Sequence, residues 1–386
     1  MNAVELAAVL VSIALVASMI SVEVGVTVAL IELTLGVVAG NTLHLESQDW
    51  LTLIASFASI VLTFLAGMEV DPAYMRRRLT ASVGIGATSF GPFVVTSLVA
   101  YVALGWTPRA SLIAGTALST TSLAVVYAIL VERGLTDTGI GKLIMSATFV
   151  TDMCTAIALS AIFIKPNAWF PAFLVASVAL ILALPRVAPW FFGRYGDRVI
   201  EPEIKLVFAI LLVLMVLGDL ANGHAVLPAF VLGLVMSTHY AEHREEQKRL
   251  RVVAFAFLTP FFFIKGGLNV SLAAVFSNLG LLAVLVGTKM IPKLALIYPL
   301  ARRADRRHGA FATLLMSTGL TFGTISSLYG LNAGIIDETQ FSLLLTVVVL
   351  SAVVPTAIAE RWFLPDAERE RRVDRRIAYA ESEELV

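Results

Sequence analysis

One aspartate, Asp152, stands within a long apolar stretch of the sequence, where an ionisable side chain is expensive to place. A charged residue at the centre of a membrane helix costs roughly 2.5–3.5 kcal/mol on insertion scales, so it indicates function by default. Thr148, Thr151 and Thr155 flank Asp152 at spacings that a helix can bring close to it. A carboxylate among hydroxyl oxygens suits a hard cation such as Na⁺, K⁺ or Li⁺.

The same carboxylate can hold a proton instead of a cation. Burial away from water favours its protonated form, whereas a nearby positive charge favours the ionised form. A single oxygen site that must choose between the two is the minimum needed to exchange a cation for a proton. The structural alternative is a buried aspartate that only hydrogen-bonds a neighbouring helix.

Four more ionisable residues fall inside apolar stretches. Lys289 and Lys293 lie one helical turn apart, and either could pair with Asp152, although Lys293 is near enough to one edge to extend its charge into water instead. Lys265 could line an aqueous funnel or extend outward, and Glu32 could face an aqueous path.

Composition indicates an integral membrane protein. Hydrophobic residues make up 58% of the 386 residues and charged residues 15%, against about 25% charged in soluble domains. The zero net charge suggests no nucleic-acid partner, and the single cysteine, Cys154, excludes an internal disulfide. No phosphate loop or catalytic motif is present, so neither an enzyme nor a cofactor is expected. The start of the chain lacks a positive segment, and the first apolar stretch is predicted to be a retained helix.

Apolar runs of membrane-spanning length recur along the whole chain and predict thirteen transmembrane spans. The predicted spans, numbered 1 to 13, are 3–20, 24–40, 52–70, 81–104, 110–131, 140–163, 168–188, 203–221, 226–239, 252–270, 279–301, 309–330 and 340–360.

Basic residues concentrate in alternate loops between these spans, which marks the cytoplasmic side. They are Arg76–Arg78, Arg133 with Lys142, Arg194 with Arg198 and Lys205, Arg244 with Lys248, Arg249 and Arg251, and Arg302 with Arg303, Arg306 and Arg307. The alternation predicts a multi-pass protein of the inner (cytoplasmic) membrane, with its N-terminus outside and its C-terminus in the cytoplasm. Arg109 and Lys165 are the exceptions.

Thirteen spans divide into two inverted six-helix repeats, residues 1–163 and 203–360, joined by a linker helix at 168–188 and followed by a charged tail at 361–386. Transporters use such repeats to alternate access around a site at mid-membrane. The fifth span of each repeat is rich in hydroxyls, with Ser119, Thr120 and Thr121 in span 5 and Thr318 and Thr321 in span 12, which Gly319 also interrupts. Irregular backbone at this depth must be buried in protein or line a polar cavity; close packing of small residues is the alternative.

Four segments, in order along the chain, resemble motifs of the monovalent cation:proton antiporter-2 family, which includes bacterial Na⁺/H⁺ antiporters and the membrane part of potassium-efflux proteins. They are Ile31–Gly40, with Glu32, Gly36 and Gly40; Phe64–Asp71, with Gly67, Glu69 and Asp71; Gly223–Gly233; and Pro260–Phe263. The likeness covers nearly the whole chain.

The resemblance implies an all-α antiporter fold and a homodimer, in which spans 4–6 and 11–13 form a core that moves like an elevator against spans 1–3 and 8–10. It implies that spans 5 and 12 are a crossed, discontinuous pair, and that Asp152 is the ion-binding aspartate. Thr151 stands where many relatives carry a second acid or an amide. The spacing to Arg302 favours Lys293 over Lys289 as the charge partner of Asp152.

We therefore expect electroneutral exchange of a monovalent cation, Na⁺ before K⁺ or Li⁺, for H⁺, with a role in pH homeostasis. One-for-one exchange is expected because Thr151 removes a second acidic site. Gly319-Leu320-Thr321 departs from the acidic sequence of many relatives at this place, which leaves the preferred cation open. The alternatives are a sodium-coupled symporter of an organic anion on a similar fold, a gated channel and a non-transporting scaffold.

Overall fold

The computed structural model describes residues 2–372 except 26, 44, 46, 69–77, 137, 164–166, 197 and 222–224. Within these residues the chain is helical and contains no β-strand. In chain order the helices are α1 Ala3–Val24, α2 Val28–Thr42, α3 Asp49–Met68, α4 Leu79–Ser89, α5 Pro92–Val102, α6 Pro108–Ser119, α7 Leu123–Glu132, α8 Gly139–Phe163, α9 Phe170–Tyr195, α10 Pro202–Leu220, α11 Val226–Glu242, α12 Arg244–Val253, α13 Thr259–Leu268, α14 Leu272–Ser277, α15 Leu279–Ala304, α16 Gly309–Leu315, α17 Thr321–Asn332 and α18 Glu338–Trp362.

Each predicted span coincides with one or more helices of the described residues, which confirms the all-α membrane fold. Eight segments of the described chain are long and apolar enough to cross a membrane, and α2 and α11 are shorter apolar helices. Two further spans are each split into short halves, α6 with α7 and α16 with α17. Thirteen crossings therefore remain a prediction.

Two spans differ in detail from their predicted form. The span predicted at 81–104 is interrupted at Phe90 and Gly91, where Pro92 begins α5 and cannot donate a backbone N–H. The helix predicted from 252 begins at Arg244 as α12 and continues through a π-helical turn, Ala254–Leu258, into α13. Hydropathy placed the start at residue 252 because the residues before it are charged.

The described chain forms two compact units. Unit 1 comprises residues 1–72, 155–279 and 324–345. Its helices pack backbone to backbone through glycines: a side chain at Gly36 of α2 would collide with the Ile264 carbonyl of α13, and one at Gly67 of α3 would collide with the Phe230 carbonyl of α11. Small residues allow such close packing between membrane helices. The two motif segments that carry these glycines thus act in helix packing.

Unit 2 comprises residues 73–154, 280–323 and 346–386 and contains Asp152, both lysines of α15 and the residues at which both split spans are interrupted. Here α4 lies directly against α8, because a Cβ at Gly86 would meet the Ala147 carbonyl and the Val150 side chain. The boundary between units falls inside α8, α17 and α18. The assignment of spans to a moving core and a fixed part is untested and stays a prediction, as do the two inverted repeats.

Candidate ion-binding site

The two helix interruptions predicted from hydroxyl-rich sequence lie against each other in unit 2. The first break is Thr120–Ser122, between α6 and α7, and the second is Met316–Leu320, between α16 and α17. The Thr121 hydroxyl donates to the Met316 carbonyl at 2.9 Å. The Ser122 backbone N–H donates to Thr318 Oγ1 at 3.5 Å. The Ser122 hydroxyl lies 3.4 Å from Thr321 Oγ1, where either group can donate. Four helix ends therefore meet at one buried place.

Hydroxyl side chains donate hydrogen bonds to backbone carbonyls where the helices end at the two breaks. Carbonyls in the last turn of a helix have no partner within it. Ser119 and Thr120 donate to the carbonyls of Thr116 and Ala117 at 2.9 and 3.1 Å, and Thr318 donates to the Leu315 carbonyl at 2.8 Å. These hydroxyls, predicted as ion ligands, thus also serve as caps of α6 and α16.

Lys293 of α15 is fully buried, and its ammonium group contacts four oxygens. Nζ lies 2.8 Å from both the Thr120 and the Met316 carbonyl oxygen, 2.9 Å from Thr121 Oγ1 and 3.0 Å from Ser89 Oγ, so its three N–H groups are shared among four oxygens. Both carbonyls lie where α6 and α16 end, at the negative ends of the helix dipoles. The breaks thus form an oxygen cage suited to a positive charge, and Lys293 supplies that charge in this conformation.

Lys289, one turn earlier in α15, has a different environment. It is also fully buried, but its Nζ has no hydrogen-bond partner among the described residues. The ammonium lies beside Gly319 in the second break, where an added Cβ would collide with it and with Thr120. Because Gly319 has no side chain, the Lys289 ammonium can occupy this space.

Asp152 is buried in α8, with 1% of its surface exposed. Its Oδ1 makes no hydrogen bond within the described part of the chain. The hydrogen bonds of the Lys293 ammonium described above go to the oxygens of the cage. Asp152 thus retains a buried oxygen for another partner, and a proton or a cation can fill that role.

The threonines beside Asp152 tie α8 to its neighbours. Thr151 Oγ1 donates to the Gly86 carbonyl of α4 at 3.0 Å and to the Ala147 carbonyl of its own helix at 3.2 Å. Thr148 Oγ1 contacts Met316 Sδ in the second break at 3.2 Å. The predicted role of Thr151 as an ion ligand stays a prediction.

Glu32 and Lys265 lie in unit 1. Glu32 is buried in α2, and its Oε2 has no hydrogen-bond partner among the described residues. Lys265 Nζ donates to Thr52 Oγ1 at 2.9 Å. Thr52 lines a cavity of about 270 Å³ together with Asp219, Tyr329 and Asn332. Whether Lys265 lines an aqueous funnel stays a prediction.

Sequence reasoning missed two hydrogen-bond partners of the Lys293 ammonium. Ser89 is buried at the end of α4. The Gly91-Pro92 pair that follows it in the sequence is typical of a helix interruption and could have drawn attention to this residue. The Met316 carbonyl carries no signal in the sequence, because every residue has one. Glu69, Asp71, Arg76, Arg77, Gly223, His224, Lys165 and residues 373–386 of the tail lie outside the described residues.

Paired interrupted helices, with a buried carboxylate and lysines at the place where they meet, define a secondary transporter. Residues 7–363 match the sequence profile of the transmembrane sodium/hydrogen exchanger family. The chain belongs to this family, which confirms the resemblance to cation:proton antiporters.

Individual relatives agree with this assignment. The chain is 24% identical over 347 residues to a probable Na⁺/H⁺ antiporter 3 of Methanocaldococcus jannaschii, covering 85% of this chain and 88% of the relative. It is 23% identical to the putative Na⁺/H⁺ antiporter YjbQ of Bacillus subtilis, covering 86% of this chain and 58% of that protein.

A solved structure shares the fold. The sodium proton antiporter MjNhaP1 of M. jannaschii superposes with a TM-score of 0.67 at 12% identity, covering 92% of this chain and 95% of the other.

Proposed function

We propose that this protein is a secondary transporter that exchanges a monovalent cation for protons, with Na⁺ as the expected cation and K⁺ and Li⁺ as its competitors. One observation carries the proposal: Asp152 is buried in the unit that holds both helix breaks, and its Oδ1 has no hydrogen-bond partner among the described residues. The names of the relatives, Na⁺/H⁺ antiporters in an archaeon and a bacterium, support the same cargo.

In the proposed cycle, Asp152 binds the cation together with oxygens from the two breaks. After release, the carboxylate returns either protonated or compensated by a lysine, with Lys293 preferred over Lys289. The physical requirement is that an isolated carboxylate must not cross the membrane uncompensated, because its desolvation is expensive.

We infer a stoichiometry of one cation for one proton, and therefore electroneutral exchange. Thr151 occupies the position beside Asp152, and its hydroxyl donates to the backbone of α4 and α8. It cannot carry a second proton as an acid would. A reversal potential that reveals net charge movement would contradict this stoichiometry.

The remaining elements of the proposal rest on family resemblance and on loop charge. They are an elevator movement, a homodimer, and insertion in the inner membrane with the N-terminus outside. Accessibility of single cysteines placed in successive loops to a membrane-impermeant reagent, after replacement of Cys154, would test the orientation.

The central experiment uses purified protein in vesicles that contain a pH-sensitive dye, challenged in turn with NaCl, KCl and LiCl. Wild-type protein should change the internal pH with at least one cation and no organic substrate, which separates an exchanger from an organic-anion symporter. Asp152→Asn should abolish the response. Asp49→Asn, the same chemical change at an exposed acid in the first turn of α3, should retain it.

Exchange that persists in Asp152→Asn at the wild-type rate would overturn the assigned role. Equal loss in Asp49→Asn would also count against it, because the effect would then not depend on the buried position.

A further inference from the structure

A second cluster of ionisable side chains lies in unit 1, where α11 ends and α12 begins. One ligand atom each from His239, His243 and Glu246 lies within 4.8 Å of the other two. None of these residues takes part in the exchange cycle proposed above. His243 is the residue between the two helices, and its backbone is not helical.

The hydrogen bond that His243 makes selects a tautomer that is common among metal-bound histidines. Its Nδ1 lies 3.0 Å from the His239 carbonyl, and a carbonyl can only accept, so Nδ1 carries the hydrogen. In the neutral ring the lone pair is then on Nε2. Metal-bound histidines nearly always donate their other ring N–H to a carbonyl or carboxylate, which fixes the tautomer and orients the ring.

His239 and Glu246 provide the other two ligands. His239 Nε2 lies 3.2 Å from Glu246 Oε2. Two ligand atoms bound to one tetrahedral zinc ion at about 2.0–2.1 Å are separated by roughly 3.3 Å, so this pair already has the spacing of a coordination edge. A metal ion would take the place of the proton between them, and that proton would pass to Nδ1 of His239 or to water.

Ring packing restricts the cluster. The His239 and His243 rings stack with centroids 4.2 Å apart and planes 16° apart. Phe192 of α9 also packs on the His239 ring, with centroids 5.4 Å apart. The side chains of His239 and Glu246 are only 13% and 16% exposed. Stacked rings cannot direct their in-plane lone pairs at one ion, so the exposed His243 ring, which leaves a path for entry, would turn out of the stack to complete the site.

We propose that His239, His243 and Glu246 form a binding site for a divalent transition-metal ion of the zinc class. Two imidazoles and one carboxylate suit Zn²⁺, Co²⁺ or Ni²⁺, whereas Mg²⁺ and Ca²⁺ prefer oxygen ligands alone. The fourth coordination position is open to water. A bound ion would fix the turn at His243 by joining the end of α11 to α12.

The test measures binding to the purified full-length chain, prepared with an affinity tag free of histidine and treated with a chelator. Calorimetric titration with Zn²⁺ should give one saturable site per chain. His243→Gln and Glu246→Gln should weaken binding by about 100-fold or more, since loss of even an outer partner of a metal ligand weakens affinity by roughly 10–100-fold. Glu338→Gln, the same chemical change at an exposed acid in the first turn of α18, is the matched control for Glu246→Gln and should bind as wild type does.

Cobalt absorption of the wild-type protein gives a readout that needs no variant to fold. Intense visible bands of tetrahedral Co²⁺, removed by Zn²⁺ and unaffected by Mg²⁺, would support the proposal. Absence of a saturable site in the wild type, unchanged binding in His243→Gln, or a pale octahedral spectrum would overturn it. Because the readout is metal binding, its outcome is independent of whether the chain exchanges cations for protons.

Discussion

Unit 2 contains two polar clusters that differ in their access to water. At the helix breaks, Lys289, Lys293 and Asp152 are buried, and Lys293 has four oxygen partners while Lys289 has none among the described residues. In the second cluster, the partly exposed His308 lies 2.9 Å from Asp305 and 3.7 Å from Glu370. Water can replace a lost partner only in the second cluster.

This difference predicts how each cluster responds to change. An unpaired polar group in a buried site costs its full desolvation energy, about 1–3 kcal/mol and more for a charge. An exposed or partly exposed ion pair contributes about 0–1 kcal/mol. Substitutions at the helix breaks should therefore have large and opposite effects, depending on whether the lost group had partners.

The two lysines should show the largest contrast. Lys293→Met removes the donor to the Thr120 carbonyl and should destabilise the purified protein by about 1–3 kcal/mol. It should also abolish cation/proton exchange. Lys289→Met removes a buried ammonium without a described partner, so it should leave thermal stability unchanged or raise it and should retain exchange.

Thermal unfolding in detergent and the vesicle assay measure both lysine variants. If Lys289→Met destabilised the protein as much as Lys293→Met, or if Lys293→Met exchanged normally, the contrast drawn from the hydrogen bonds would be wrong.

Gly319 tests the space beside the unpaired lysine. Gly319→Ala would bring a Cβ against the Lys289 ammonium and the Thr120 carbonyl, and overpacking of this kind typically costs about 1–3 kcal/mol. Gly84→Ala is the matched control. A Cβ at Gly84 meets nothing within 4 Å, and alanine is more favourable than glycine inside a helix, so this variant should be slightly stabilised.

Unfolding temperatures of the two glycine variants should move in opposite directions. A Gly319→Ala protein as stable as Gly84→Ala would show that the second break can rearrange to accept a side chain.

Thr121 connects the two breaks, and its loss should have a smaller effect. Its hydroxyl donates to the Met316 carbonyl and accepts from Lys293, so Thr121→Val should cost about 1–1.5 kcal/mol. Thr116→Val, in the same span, removes a hydroxyl whose one hydrogen bond among the described residues is to the Leu112 carbonyl of its own helix, and it should change stability by less than about 0.5 kcal/mol.

The measurement is again thermal unfolding of both threonine variants in the same detergent. Equal effects would mean that the hydrogen bond between the breaks contributes no more than a bond inside one helix.

Much of this arrangement could be predicted from the sequence, because membrane embedding imposes strong patterns. Apolar length located the helices, and hydroxyl-rich segments located both breaks, since Thr120–Ser122 and Met316–Leu320 lie within or beside the segments that were singled out. Asp152, Lys289 and Lys293 were identified because charge is costly in an apolar segment.

The partners of those charges could not be predicted. Two of the four oxygens around Lys293 are backbone carbonyls, which no residue type distinguishes, and a third is Ser89 on a different helix. The sequence favoured Lys293 over Lys289 only through its spacing to Arg302, whereas their three-dimensional neighbours separate the two lysines directly. The observed helix boundaries near Phe90 and Arg244 differ from the predicted ones. Hydropathy alone does not reveal the interruption before Pro92, and it does not detect a helix that begins in the charged residues from Arg244.

Substitution in the cluster of His308, Asp305 and Glu370 should have a small effect on stability, and this effect should depend on pH. A hydrogen bond to Asp305 raises the pKa of His308, with attraction to Asp305 and Glu370 in the same direction, and the bond to His308 lowers the pKa of Asp305. The stabilisation due to His308 is complete below its unfolded value near 6.5 and is lost as the pH rises through the raised folded value. The Asp305 contribution is complete above about 4 and is lost as the pH falls through its lowered folded value.

The pair should therefore stabilise the protein most between about pH 4 and about pH 6.5. The difference in unfolding free energy between wild type and His308→Gln should be below about 1 kcal/mol at about pH 5.5, and should fall further at about pH 9. High salt should reduce it, unlike the effect of Lys293→Met, because only the exposed pair is screened by ions in water. A difference that grew with pH, or one as large as that of Lys293→Met, would mean that access to water does not distinguish the two clusters.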